Sequence, residues 1–346
     1  MQHKHLAHCT FDFLLVGGAS LIIYFLLMLF KVEASSFDLI LLAWVLSVFC
    51  NAPHFISSYQ IFYTEKKNSL TKEYRTLFAG VILPILLGLV IFYAFISKSV
   101  VVYKSLVIFM IFTVGWHYVK QAFGCFLTLA FKYKLFLKDY ERYVLLSSLY
   151  ALWASSFYRH FINFEYTGNF WGFKYELPQL PVSYYEILKY LSLILICMFT
   201  LSFLLKNKVS SKINLALTIT PILSVAVWIS PAFFNPVFFF LVPFFHSLQY
   251  LFFVSKYIEG KHQNKTDKKI KFWLSSFIIG CFVFEVIPKN IDSIFTQNSE
   301  FGVHLTLISV LLFINIHHYF IDNTIWRKES ESVRAYLNLG MAKESL

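Results

Sequence analysis

The chain has 346 residues, of which 58% are hydrophobic and only 14% charged, and its mean hydropathy is +0.63. Soluble domains carry about 25% charged residues, so this composition excludes a soluble protein and indicates an integral membrane protein. The net charge of +11 does not indicate binding to nucleic acid, because the basic residues lie mainly between apolar runs, where they can face anionic lipid.

Apolar runs close to the ~20 residues that a helix needs to cross a bilayer recur along the whole chain. The segments between them are too short for a separate soluble domain, and no signal-peptide cleavage site stands out after the first run, which we expect to be retained. We therefore expect an all-α, polytopic transmembrane helix bundle forming one domain over residues 1–346. In chain order the ten predicted spans are 11–31, 37–62, 77–97, 103–130, 143–162, 184–205, 213–232, 236–256, 271–288 and 303–326.

The distribution of lysine and arginine predicts the orientation of these spans. If the N-terminus is cytoplasmic, 22 of the 30 basic residues fall on the inner side, seven fall on the outer side, and Lys120 lies within a span. Basic residues favour cytoplasmic loops. The sequence thus predicts both termini on the cytoplasmic side of an inner (cytoplasmic) membrane.

Four predicted spans carry histidine within apolar sequence, and all four run from the outer to the inner side. Ionisable groups at membrane depth are costly, which makes them candidates for function. Between nine and fifteen residues separate each histidine from the next basic residue on the inner side, so their depths agree within about 9 Å. We expect the histidines to form one shared metal site, with His318 favoured over its neighbour: His54, His117, His246, His317 and His318.

Each of these histidines is followed one helical turn later by a polar residue on the same face. Such groups can orient a metal-bound imidazole, as hydrogen-bonding partners of metal ligands do. The predicted supporting residues are Ser58, Gln121, Gln249 and Asp322, and Lys120 is a candidate to pair with Asp322 or with a polar end of the substrate.

Other ionisable residues in the spans are expected to lie outside this site. His160 and His304 fall near the outer ends of their spans, where interfacial hydrogen bonds are expected. Glu285 also lies toward the outer side and is a possible partner for one of them.

The residue types narrow the choice of metal. Neutral imidazoles suit iron, copper or zinc, whereas the five scattered cysteines disfavour an iron–sulfur cluster and the scarcity of carboxylates disfavours a carboxylate-bridged metal pair. We predict a mononuclear Fe²⁺ centre with three or four histidine ligands. An apolar chamber among the 41 phenylalanines would suit dioxygen chemistry on a hydrophobic small molecule.

The chain resembles the bacterial membrane carotene oxygenases of the Brp/Blh type in its helical plan and in the placement of its histidines. The resemblance rests on Pro53-His54-Phe55, Trp116-His117-Tyr118, the segment from His246 to Gln249, and His317-His318-Tyr319. It implies an iron-dependent dioxygenase that cleaves a carotenoid. It also implies that the ligands are His54, His117, His246 and His318.

Three other functions remain open at this stage. Membrane desaturases and hydroxylases collect histidines in tight boxes, and the chain has only the His317-His318 pair in close sequence. A haem-binding electron-transfer protein would use facing histidine pairs. A proton-coupled transporter would use the histidines, Lys120 and Asp322 as a relay without metal.

Overall fold

The structure is a computed structural model that describes residues 9–32, 37–162, 167–170, 172–208, 210–231, 235–294, 301, 304–327 and 330–337. The described chain folds into ten long helices that follow the ten predicted spans closely. A short helix, α11, a single 3-10 turn at Lys67–Ser69 and one hairpin complete the described secondary structure. The long helices are α1 (Thr10–Leu29), α2 (37–65), α3 (Tyr74–Ser97), α4 (Val100–Lys132), α5 (Asp139–Arg159), α6 (Val182–Lys206), α7 (Lys212–Ile229), α8 (Pro236–Lys261), α9 (Thr266–Ile294) and α10 (Leu305–Ile325), and α11 spans Glu331–Tyr336.

Eight of the ten helices are long and apolar enough to cross a membrane, which confirms the predicted all-α polytopic bundle for the described residues. The eight do not include α2 and α5. Within α2, the side chains of Ser57, Ser58 and His54 are buried in the protein rather than exposed.

The helices bring lysines together at one end of the bundle. This lysine-rich end comprises the described junction residues 66–72, 133–138, 207–208, 210–211 and 262–265, and the lysine-poor end comprises 98–99, 160–162 and 304. At the lysine-rich end, Lys261 forms an ion pair with Glu65 and Lys206 forms one with Glu141. The helix ends thus meet as the predicted alternation of directions requires.

Helix α10 lies in the interior and packs against α2, α3 and α4. Helix α8 packs against α1 and α2, and α7 packs against α4 and α1. Because α2, α4, α8 and α10 all run toward the lysine-rich end, residues at matching depths on these four helices can meet.

Two local irregularities shape the interior near this meeting point. In α2 the backbone widens into a π-helical turn over Ser47–Asn51, just before Pro53, which has no N–H to continue the regular pattern. In α1 a kink at Gly17, with a φ of 131°, lets α7 approach so closely that a Cβ there would lie 2.3 Å from Ser224 Oγ. Only glycine tolerates both the positive φ and the close contact with Ser224 of α7.

A β-hairpin closes the lysine-poor end of the bundle. Strand β1 (Thr167–Phe170) pairs antiparallel with β2 (Phe173–Glu176), in the register that places Thr167 opposite Glu176. Phe173 is buried and stacks on Phe301, with ring centroids 5.1 Å apart, and both contact Tyr103 of α4. The hairpin falls within the predicted outer loop at 163–183 and is anchored to the bundle by these aromatic side chains.

Candidate metal centre

Four histidines converge in the interior of the bundle, one each from α2, α4, α8 and α10. One ring nitrogen from each lies within 4.8 Å of those of the others, and His117 Nε2 lies 3.1 Å from His246 Nε2. None of the four residues is more than 4% exposed. The predicted convergence is therefore confirmed for His54, His117, His246 and His318, which we call the histidine cluster.

The spacing of these nitrogens suits a single metal ion. Metal–imidazole bonds of about 2.0–2.1 Å place neighbouring ligand nitrogens about 3 Å apart and opposite ones about 4.2 Å apart. The 3.1 Å between His117 and His246 matches a neighbouring pair, and the 4.8 Å limit for the cluster requires only small shifts of the rings. The cluster could thus supply up to four ligands to one ion.

Several polar atoms in the cluster are buried without a hydrogen-bond partner among the described residues. They are His54 Nε2, His246 Nδ1, both ring nitrogens of His318, and Asp322 Oδ2. A buried polar atom without a partner costs about 1–3 kcal/mol. An ion bound at the cluster would pair with His54 Nε2 and with one ring nitrogen of His318, which is an independent reason to consider the cluster a metal site.

The orientation of His54 depends on residues that the sequence pattern did not single out. Ser247 Oγ lies 3.1 Å from His54 Nδ1 and also donates to Asn51 Oδ1 at 2.9 Å. These contacts leave Nε2 of His54 to face the cluster. Ser247 directly follows His246, and Asn51 lies three residues before His54, at the end of the π-helical turn of α2. A prediction restricted to polar residues one turn after each histidine therefore misses both.

Asp322 is the predicted supporting residue that reaches the histidine rings directly. Its Oδ2 lies 3.3 Å from His318 Nε2, without hydrogen-bond geometry, and 3.8 Å from His117 Nε2. Its Oδ1 accepts a hydrogen bond from Tyr250 OH at 2.9 Å. Tyr250 in turn contacts Ser58 Oγ at 2.7 Å and accepts from Trp326 Nε1 at 3.1 Å. The carboxylate is thus held in place beside two candidate ligands.

His317, predicted as part of the metal site, lies outside the cluster. Its Nδ1 is 2.8 Å from Tyr59 OH and its Nε2 is 2.8 Å from the carbonyl oxygen of Ala79. Both nitrogens are used in these hydrogen bonds because neighbouring helical residues point about 100° apart, which turns His317 toward α2 and α3 when His318 faces the cluster. His317 thus contributes to helix packing, which agrees with the preference for His318 as the member of the pair that faces the cluster.

The contacts of Gln121, Gln249 and Lys120 differ from those that the sequence predicts. Gln121 donates to the backbone carbonyl of His246 and to Gln249 Oε1, at 3.1 and 2.9 Å, and Gln249 donates to the Val16 carbonyl at the kink of α1, at 2.5 Å. These amides hold α1, α4 and α8 together instead of contacting imidazoles. Among the ion pairs formed by the described residues, none joins Lys120 to Asp322.

A cavity of about 1610 Å³ begins at the histidine cluster and extends toward the lysine-poor end. We call it the chamber. His54 and His246 form part of its wall, and most of the rest is apolar and aromatic, including Phe55, Phe244 and Phe284. Small-molecule sites usually enclose about 300–1,000 Å³, so the chamber is large enough for an extended lipid-soluble molecule. Lys120 does not contribute to its wall.

Comparison with known proteins assigns no family to the chain. No family model matches it, and neither a curated protein nor a solved structure gives a match. The resemblance to carotene oxygenases therefore remains a prediction, and the function must be inferred from the geometry of the cluster and the chamber.

Proposed function

We propose that this protein is a membrane-embedded oxidoreductase that uses one histidine-bound metal ion, iron, to oxidise a lipid-soluble substrate. The observation that carries the proposal is the position of the histidine cluster, with unpaired ring nitrogens, at the end of a large apolar chamber. Imidazole ligands suit iron, and the chamber would exclude water from the reacting groups.

The chain's own residues would hold and balance the ion. His54, His117, His246 and His318 would supply neutral nitrogen ligands, so the positive charge of the ion would be uncompensated in a low-dielectric interior. Asp322 places a carboxylate oxygen 3.3 Å from His318 Nε2, where it could neutralise part of that charge or bind the ion itself. Tyr250 holds the other carboxylate oxygen through its hydroxyl.

The reaction that we favour is a dioxygenase reaction on a carbon–carbon double bond, as the resemblance to carotene oxygenases implies. An iron ion would supply the site at which dioxygen is activated. Cleavage of one double bond by O₂ gives two carbonyl products with one oxygen atom each, so the substrate supplies all the electrons and no separate donor is required. The aromatic wall would hold the apolar substrate beside His54 and His246.

The geometry favours this proposal over the two main alternatives. A haem needs open space around its iron for the macrocycle, with only two axial protein ligands, whereas four imidazoles crowd one point within 4.8 Å. A metal-free proton relay through Lys120 and Asp322 would require their side chains to communicate, and Asp322 contacts Tyr250, His117 and His318 instead.

The decisive experiment measures metals in the purified protein. We expect wild-type protein to contain up to stoichiometric iron, and His117→Ala and His246→Ala to lose it, because each removes one of the paired Nε2 ligands. His317→Ala is the matched control: it removes an adjacent buried histidine that lies outside the cluster and should retain the metal.

A stability measurement distinguishes loss of metal from loss of fold. Because the bound ion stabilises only the folded state, a chelator should lower the unfolding temperature of the wild type and have little effect on His117→Ala. Folded wild-type protein without a transition metal, together with no effect of chelator, would reject the metal centre. Stoichiometric zinc in place of iron would reject the oxygenase and retain the site.

A further inference from the structure

The chamber has polar groups at both of its ends. At one end lies the histidine cluster, and at the other lies a set of polar residues that we call the rim: Trp44, Glu285, Lys289, Asp292 and His304. Fourteen residues of α10 separate His304 from His318. This corresponds to about 21 Å along the helix, compared with ~30 Å for the hydrocarbon core of a bilayer. The chamber is therefore longer than one leaflet is deep.

The wall between these ends is suited to a hydrocarbon chain. Side chains such as Val114, Phe157, Phe284 and Leu311 face the chamber, from four different helices. Burial of apolar surface stabilises a bound chain by about 25 cal/mol per Å². A ligand that fills the chamber would thus contact apolar groups over most of its length.

The chamber opens sideways at the lysine-poor half of the bundle. Leu41 and Trp44 of α2 and Phe240 of α8 line the chamber, yet they are 47%, 43% and 62% exposed. Because these residues lie on membrane-embedded helices, their exposed surface faces lipid. A molecule dissolved in the nearby leaflet could enter between α2 and α8 without passing through water.

The charges of Glu285 and Lys289 at the rim neutralise each other. Lys289 Nζ lies 2.6 Å from Glu285 Oε2, and Trp44 Nε1 donates to Glu285 Oε1 at 3.1 Å. Lys289 also lies over the Trp44 ring, 5.6 Å from its centroid. Glu285 therefore pairs with Lys289 and Trp44, where the sequence suggested one of the outer histidines.

The second carboxylate of the rim is also satisfied within the protein. Asp292 Oδ1 and Oδ2 accept hydrogen bonds from the backbone N–H groups of Thr306 and Leu307, at 2.7 and 3.2 Å. The N-terminus of α10 thereby balances its negative charge. Among the rim residues that the structure describes, both carboxylates therefore have partners, and the cation Lys289 is paired with Glu285.

We propose that the chamber takes a neutral, single-chain amphiphile from the leaflet at the lysine-poor end, with its uncharged polar head at the rim and its chain directed toward the histidine cluster. This rests on the proposed function, because the chain is what would be oxidised. We expect the rim to favour this head over a carboxylate or phosphate, because the cation Lys289 is already paired with Glu285.

The binding test uses tritiated 1-hexadecanol on purified protein that has been incubated with Fe²⁺, with hexadecanoate as competitor. We expect saturable binding of the alcohol and at least about tenfold weaker competition by the carboxylate, because the cation Lys289 at the rim is already paired with Glu285. Equal or stronger competition by hexadecanoate would overturn the neutral-head assignment. Absence of saturable alcohol binding would overturn the proposal as a whole.

Two substitutions locate the bound chain. Leu311→Trp, in the chamber wall, should weaken alcohol binding at least about tenfold, since overpacking displaces the ligand. Leu89→Trp, at a 61% exposed position on α3 outside the chamber, is the matched control and should bind as the wild type does. If Leu311→Trp does not fold, Val114→Phe at another wall position replaces it. Unchanged binding in the folded wall variant would overturn the chamber as the site.

Metal analysis of the same samples separates the two proposals. Retained metal with no alcohol binding would overturn the lipid assignment alone. Alcohol binding that Leu311→Trp abolishes, in wild-type protein that takes up no metal, would overturn the oxidoreductase and leave the lipid site supported.

Discussion

At the scale of single residues, neighbours in sequence have different functions because their side chains leave the helix in different directions. His318 faces three other histidines, whereas His317 bonds to Tyr59 and to the Ala79 carbonyl. Ser247 orients His54 from a position next to His246. The chemistry of the centre thus depends on individual side-chain directions within one turn of each helix.

Asp322→Asn tests the role of the carboxylate beside the cluster. The substitution keeps the shape of the side chain and removes its negative charge, which lies 3.3 Å from His318 Nε2. Groups that support metal ligands typically contribute about 10- to 100-fold in affinity, so we expect a loss of this size in competition with a chelator of known affinity.

Tyr250→Phe provides the comparison for that variant. It removes the hydrogen bond to Asp322 Oδ1 and keeps the carboxylate, so its effect on metal affinity should be smaller. An Asp322→Asn protein that binds metal as tightly as the wild type would show that the carboxylate takes no part in the site.

At the scale of helices, contacts at helix ends and kinks hold the elements that carry the cluster. Gln249 links α8 to the Val16 carbonyl at the kink of α1, and Gln121 links α4 to α8. At the lysine-rich end, Lys206 Nζ donates to both carboxylate oxygens of Glu141, at 3.0 and 2.7 Å, and so joins α6 to α5. Such polar contacts fix the relative positions of the helices, which their uniformly apolar lipid-facing surfaces cannot do.

Glu141→Gln should lower the unfolding temperature in a pH-dependent way. Burial alone raises the pKa of the Glu141 carboxyl, but hydrogen bonds from Lys206 and the Lys138 backbone outweigh it and hold the pKa below its usual value. Its contribution to stability is therefore present above the unfolded-chain pKa of about 4.3 and is lost as the pH falls through the lower folded value.

Unfolding temperatures of the wild type and this variant should accordingly differ at neutral pH and converge under acidic conditions. Glu259→Gln is the control, because its ion pair with Lys256 is more exposed and contributes little. A difference between wild type and Glu141→Gln that does not change with pH would contradict this account.

At the scale of the whole molecule, the two ends of the bundle differ in composition. Lysines gather at one end, the hairpin closes the other, and the chamber opens from the histidine cluster toward the hairpin end. Because basic residues favour the cytoplasmic side, we expect the chamber to open to the outer leaflet.

Labelling of single cysteines tests this orientation. In a cysteine-free background, Lys98→Cys at the lysine-poor end should react with a membrane-impermeant maleimide in intact cells. Lys134→Cys at the lysine-rich end should react only after lysis, which makes it the matched control. The reverse pattern of labelling would show that the bundle is inserted the other way.

The fold was largely predictable because apolar runs and basic flanks act locally along the chain. Each predicted span corresponds to a helix, including α2, in which His54, Ser57 and Ser58 are buried. The hairpin was not predicted, because its stability depends on Phe173 packing against Phe301 and Tyr103, which are distant in sequence.

The sequence by itself determined the membrane class, the number and direction of the helices and the common depth of the four histidines, since depth follows from distance along a helix. Only the tertiary structure decided which side chains meet, because the rotation of each helix about its axis depends on packing against its neighbours. That rotation separates His318 from His317, turns Gln121 and Gln249 toward backbone groups, brings Asp322 to the cluster and leaves the chamber open beside it.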